Sequence, residues 1–223
     1  MPRPKLTPEI AYNLATRLYA ASGECDTRLE SVLLQDPEYA YRYAFSVLKS
    51  PWPEAEHLFA QDAESAHKYA YYVLKGPFRT GEMAILQEPR ISFRYAKHVL
   101  GRPWPEAEHL FAQDTGYAYH YALDVLGAPF PQGEPVIMQN PKYAVWYAQD
   151  VLKAPWPEAE PVIMQDSNAA CMYARDVLQG PWPEAESVIA QDRDSAYGYA
   201  HDVLKTPEDK ARFSEVQRWV AQS

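Results

Sequence analysis

Cysteine and glycine are scarce in this 223-residue chain, with two of the first, Cys25 and Cys171, and nine of the second. Two cysteines build neither a disulfide framework nor a metal site, so a reducing compartment is expected. The histidines His57, His67, His98, His109, His120 and His201 do not stand at metal-ligand spacing from a cysteine, an aspartate or one another. A glycine-rich phosphate loop and a serine elbow are both missing. The carboxylates cluster at helix starts, where capping accounts for them. No catalysis, metal or cofactor is therefore expected. No apolar run approaches the roughly 20 residues that span a bilayer. The start, Met1-Pro2-Arg3-Pro4-Lys5, leads into an amphipathic stretch instead of a signal-peptide core. The expectation is a cytoplasmic protein with no membrane partner. Positive charge is also short, 21 Lys and Arg against 30 Asp and Glu for a net −9, which weighs against broad nucleic-acid binding.

Proline is abundant, at 20 residues, and hydrophobic residues make up 47%, too many for a disordered chain. Without glycine, proline does not make a flexible linker. Its spacing explains it. Trp-Pro-Glu-Ala-Glu begins at Trp52, Trp104, Trp156 and Trp182, and Pro77-Phe78 and Pro129-Phe130 fill the missing register, giving a period of 26. Seven repeats run without an insertion over residues 25–206. Residues 1–24 and 207–223 are read as capping helices, so the whole forms one continuous domain.

Each repeat reads as two helices. The first is short, about nine residues from Pro53 to Gln61, with proline and glutamates at its start. The second starts at an Asp or Asn cap, as in Asp36-Pro37-Glu38 or Asn140-Pro141-Lys142. It carries an apolar stripe such as Ala40, Tyr43, Ala44, Val47 and Leu48, and ends near Gly76, Gly180 or another small residue before the next proline. So short a pair cannot bury its own apolar face, so repeats must stack. The predicted fold is all-α, a right-handed α-solenoid of seven 26-residue helical hairpins with divergent caps.

Three polar or amphipathic positions recur in every repeat, represented by Glu56, Gln61 and Tyr69. The tyrosine lies on the apolar stripe, and its buried hydroxyl needs a partner that the glutamate or the glutamine could supply. These are read as scaffold. So are Trp52, Trp104, Trp156 and Trp182, placed where one repeat hands over to the next as inter-repeat wedges.

In such a stack the varying exposed positions bind. Opposite the apolar stripe of the second helix runs the series Arg42, Lys68, Arg94, His120, Trp146, Met172 and Gly198. One turn later come Ser46, Tyr72, His98, Asp124, Asp150, Asp176 and Asp202, with Tyr41, His67, Phe93, Tyr119 and Tyr71 beside them. The columns pass from basic and aromatic to acidic. Residues 1–102 carry 13 Lys and Arg against 12 Asp and Glu, and residues 103–223 carry 8 against 18. Arg42, Lys68 and Arg94 with their aromatics would hold an acidic partner segment or a phosphate-bearing ligand. The column Asp124, Asp150, Asp176 and Asp202 would meet a basic surface.

The repeats resemble the short two-helix Trp-Pro-Glu-Ala-Glu repeats, often continuing Tyr-Ala-x-Asp-Val-Leu-Lys, of uncharacterised phage and bacterial proteins. Trp156–Glu160 and Tyr173–Leu178 carry the likeness most clearly, whereas the first, third and fifth repeats depart from it. The arrangement is broadly similar to Sel1, tetratricopeptide and HEAT-type solenoids, mostly protein-binding scaffolds. The resemblance implies a phage or prophage source, hence a host-cytoplasm location, and carries no functional residue over. The function expected is a non-catalytic scaffold for a protein partner, a host or defence protein if the source is phage. The alternative is sequestration of a nucleotide-like anion in the basic-aromatic half. A third reading, acidic mimicry of nucleic acid, is opposed by the eight basic residues within the acidic half.

Overall fold

The computed structural model describes residues 6–222, so Met1–Lys5 and Ser223 lie outside the described residues. Helices are the only regular secondary structure among the described residues, paired into repeats that pack on their neighbours as an α-solenoid. The chain divides into two compact units, Met1–Ala107 and Glu108–Ser223. The first is headed by the helix Pro8–Ser22, and the second closes with the helix Pro207–Val220.

The second helix of each repeat begins as the sequence implies. Asp36 accepts from the N–H groups of Glu38 and Tyr39, Asn140 from those of Lys142 and Tyr143, and Asp62, Asp114, Asp166 and Asp192 each from an N–H three residues on. Such caps satisfy orphan donors of the first turn. Glu88, in the third repeat, makes no side-chain cap.

The helix does not continue as α. After six or seven residues, such as Ala63–Lys68 or Thr115–Tyr121, it widens into a π-helical segment, Tyr69–Leu74 or Ala122–Leu126, and all seven repeats do this. Nor does it end at Gly76 and Gly180 as expected. The left-handed residue is the one before, Lys75 (φ 52°) or Gln179 (φ 55°), and the N–H groups of Gly76 and Gly180 reach back to the carbonyls of Ala70 and Ala174 at 3.2 and 3.1 Å. Lys49 and Lys153 hold the same left-handed place, as do Gly101 and Gly127. The first helix is shorter than expected, a 3-10 turn such as Pro53–Ala55 followed by one α turn, Glu56–Phe59.

A single tyrosine joins these parts in every layer. The hydroxyls of Tyr43, Tyr69, Tyr95, Tyr121, Tyr147, Tyr173 and Tyr199 donate to Glu30, Glu56, Glu82, Glu108, Glu134, Glu160 and Glu186 at 2.9–3.2 Å. The glutamate, and not the recurring glutamine, is therefore the hydroxyl's partner. The same oxygen accepts from the backbone N–H that opens the first helix, from Trp52 to Tyr69 at 2.8 Å and from Trp156 to Tyr173 at 2.6 Å. Burial pushes the phenols of Tyr69 and Tyr173 up to about 12; the backbone donor acts against that shift and the nearby carboxylates add to it, so both stay protonated.

Each tyrosine ring meets the aromatic of the following repeat, Tyr43 on Trp52 at 5.1 Å, Tyr69 on Phe78 at 5.1 Å and Tyr173 on Trp182 at 5.0 Å. The tyrosine thus bonds within its repeat and packs on the next one, which makes each layer depend on its neighbour. The helix Pro207–Val220 supplies Phe213 to Tyr199 in the same way, at 5.0 Å. Where phenylalanine replaces tryptophan, the residue three places on is glycine. A Cβ on Gly81 would overlap the Phe78 ring and lie 2.7 Å from Ala66 Cβ; one on Gly133 would lie 2.5 Å from the Phe130 ring. The second to seventh repeats therefore carry either a Trp/Ala pair or a Phe/Gly pair.

Candidate binding face

The cations expected to form a free basic column are paired. In the unit Met1–Ala107, Arg42 Nε bonds Glu38 at 2.9 Å, one turn before it, and Lys68 lies 3.8 Å from Glu64. Arg94 and Arg90 both reach Glu64 Oε2 at 3.7 Å. Glu38 and Glu64 occupy the helix face one turn before Arg42 and Lys68, so this i,i+4 spacing sets opposite charges side by side. Arg42 also lies over the Tyr39 ring at 5.5 Å.

The residues beside that column occupy the seam between successive second helices. His67 is 1% exposed, stacked on Tyr71 with ring centroids 6.0 Å apart, and neither ring nitrogen has a hydrogen-bond partner. Burial, helped by the positive charge of Arg94, lowers its pKa to about 4; Glu64 acts in the opposite direction. Tyr41 and Phe93 are half-buried in the same register. In the unit Glu108–Ser223, Tyr119 is buried and donates to Asp150 at 2.6 Å while touching Tyr143 and Trp146.

The aspartate column is largely engaged within its own unit. Asp124 faces His120 at 3.5 Å, Asp150 accepts from Tyr119, Asp176 takes two bonds from Arg175 at 2.8 Å, and Asp202 meets His201 at 2.7 Å. The Arg175 pairing is side by side in sequence and lies along the surface. Beside this column, a groove of about 610 Å³ opens between Lys142, Trp146, Asn168 and Met172, with Lys142 Nζ 4.7 Å over the Trp146 ring.

An aromatic shelf lies on this face in the unit Met1–Ala107. Phe45, Tyr71 and Tyr72 are 46%, 43% and 45% exposed. They touch in sequence: Phe45 on Tyr72 at 5.8 Å, Tyr72 on Tyr71 at 4.8 Å, Tyr71 on His98 at 6.4 Å, and Tyr41 stacked on Phe45 at 5.9 Å. The structure therefore brings together Tyr41, His67, Tyr72 and His98 from the expected site and adds Phe45, which the sequence reading passed over. A groove of about 240 Å³ runs along the shelf between Ala44, Phe45, Lys49, Tyr72, Val73 and Lys75. The signal for the two lysines was present. They stand where Gly101 and Gly127 stand in later repeats, at the left-handed helix end.

Among the described residues no group of histidine, cysteine, aspartate or glutamate is arranged to hold a metal ion, and no helix is long and apolar enough to cross a membrane. No protein-family model, no curated protein and no solved structure compared with the chain gives a match.

Proposed function

We propose that the protein is a non-catalytic scaffold that engages a protein partner through the variable face of its second helices in the unit Met1–Ala107. One observation carries this reading. Three large aromatic side chains, Phe45, Tyr71 and Tyr72, lie contiguous and more than two-fifths exposed across two repeats. Contiguous exposed aromatic surface is costly to leave in water, and aromatic anchors dominate protein interfaces. In the two repeats that carry it, the bonds Tyr43–Glu30 and Tyr69–Glu56 brace the second helices, so a partner meets a preorganised surface. Following the likeness of the repeats to phage and bacterial ones, the partner proposed is a host or defence protein.

The two other readings have less support. A nucleotide-like anion on Arg42, Lys68 and Arg94 would face Glu38 and Glu64, already paired with those cations. Mimicry of nucleic acid needs free carboxylates, and Asp150, Asp176 and Asp202 are already bonded.

The test is capture of a partner by the full chain. The triple variant Phe45→Ser, Tyr71→Ser, Tyr72→Ser should lose the partner. Met83→Ser, which removes another exposed apolar side chain from a first helix, should keep it. Equal retention by the triple variant would contradict the proposal.

A further inference from the structure

We propose that the groove between Lys49 and Lys75 binds an acidic, extended segment of the partner protein, with carboxylates on the two lysines and an aromatic or apolar side chain against Phe45 and Tyr72. This rests on the protein-binding reading and names the chemistry of the partner.

Charge is the first support. The unit Met1–Ala107 has two sets of cations on this face. Arg42, Lys68, Arg90 and Arg94 are matched by Glu38 and Glu64. Lys49 and Lys75, both exposed and both lining the groove, have no acidic partner among the described residues. The equivalent Lys205 turns its Nζ back onto the carbonyl of Asp202 at 2.6 Å. The groove is therefore complementary to negative charge where the neighbouring column is not.

Backbone conformation is the second. Lys49 and Lys75 have φ of 53° and 52°, a region in which glycine is the least strained residue. Glycine occupies this register in the third and fourth repeats, at Gly101 and Gly127. A long cationic side chain thus stands at a left-handed position here, as Lys153 does in the fifth repeat, but only Lys49 and Lys75 line a groove with an exposed Phe–Tyr pair in ring contact among the described residues.

The groove holds about 240 Å³, below the roughly 300–1,000 Å³ of small-molecule pockets and suited to one side chain. It also continues. Lys49 lines a second groove of about 430 Å³ with Thr16, Tyr19, Ala20, Ser46 and Val47, against the helix Pro8–Ser22. A chain laid along both would cross one repeat per step. Lys49 and Lys75 hold the same register in adjacent layers, so helix packing sets them roughly 10 Å apart. A polyproline II segment advances about 3.1 Å per residue with three residues per turn, so its side chains at i and i+3 share a face at about 9 Å. The segment expected has acidic residues three apart with an apolar residue between them.

The corresponding groove in the unit Glu108–Ser223 serves as an internal contrast. It is about 190 Å³, lined by Gln149, Lys153, Asp176 and Gln179. Aspartate stands where Tyr72 stands and glutamine where Lys75 stands, so the same segment finds neither its platform nor its second cation.

The experiment is fluorescence anisotropy on the full chain with a fluorescein-labelled peptide of Glu-Pro-Tyr triplets. The controls are Lys-Pro-Tyr triplets and an oligo-dT single strand. The glutamate peptide should bind and weaken with salt, and the double variant Lys49→Gln/Lys75→Gln should bind it about tenfold more weakly or worse. Glutamine is native at this register as Gln179, so the variant keeps the fold, which its melting curve verifies. Arg42→Gln, removing a paired cation, should change affinity by less than about twofold. Undiminished binding by the double variant, or tighter binding of the lysine peptide or of oligo-dT, overturns the proposal. So does absence of glutamate-peptide binding. In that case partner loss by the Phe45, Tyr71 and Tyr72 variant leaves the protein-binding face standing, and partner retention by that variant overturns both.

Discussion

Arg212 grips Glu186 with two bonds, Nη2 to Oε1 at 2.7 Å and Nε to Oε2 at 3.2 Å. Arg212 lies 26 residues after Glu186, in the register of the recurring glutamate. The capping helix thus puts a cation where an eighth repeat would put another carboxylate, and Glu186 becomes 1% exposed. A buried carboxylate stripped of its guanidinium keeps its desolvation cost. Arg212→Gln is expected to lose about 2 kcal/mol, which for a chain of this size lowers the melting temperature by about 5 °C. Adding Glu186→Gln should recover part of the loss. An unchanged melting temperature for the single variant would show the pair to be inert.

The tyrosine hydroxyl gives a second prediction. In Tyr173→Phe the Trp156 N–H loses its buried acceptor and Glu160 loses a donor. The expected cost is about 1–3 kcal/mol, read from urea unfolding, with no effect on binding by the unit Met1–Ala107. Unaltered stability would mean that water replaces the hydroxyl without loss.

Packing gives a third. Gly81→Ala should cost about 1–3 kcal/mol, because the new methyl overlaps the Phe78 ring and Ala66. Phe78→Trp together with Gly81→Ala recreates the native Trp52–Ala55 pair and should recover most of that loss. A double-mutant cycle with no coupling would contradict the pairing rule.

A fourth follows from His67. Its folded pKa, about 4, lies below the ordinary 6.5, so the folded chain holds fewer protons there than the unfolded one. Its contribution is therefore complete above pH 6.5, falls as pH drops and is gone below about 4. Glu64, Arg90, Arg94, His98 and Tyr71 surround it. Between pH 7.5 and 5 the loss should reach about 2 kcal/mol. His67→Phe, copying the register of Phe93, should flatten that slope in melting curves at the two pH values. An equal slope in the variant would place the acid sensitivity elsewhere.

The repeat was legible because Trp-Pro-Glu-Ala-Glu marks four layers and Pro-Phe two more, and the tyrosine because its place on an apolar stripe demanded a partner. The π-helical ends were not legible. A stretch as short as Tyr69–Leu74 shows the same apolar spacing whether its bonds close four or five residues back. Glycine at 76 marks the helix end one residue late, because the positive φ belongs to Lys75, a residue type that does not favour it. The pairing of Arg42 and Lys68 is legible from Glu38 and Glu64 one turn before them, whereas that of Arg94 with Glu64 crosses between repeats. The seam position of His67 and Tyr119 needed the packing of consecutive second helices, which depends on crossing geometry and not on spacing within one helix.

Hydrogen–deuterium exchange of the full chain, with and without its captured partner, tests the central proposal most directly. The expected result is slowed exchange across residues 41–49 and 67–75, with residues 145–153 and 171–179 unchanged. Protection confined to the aspartate-bearing helices, or to the first helices of the repeats, would contradict it.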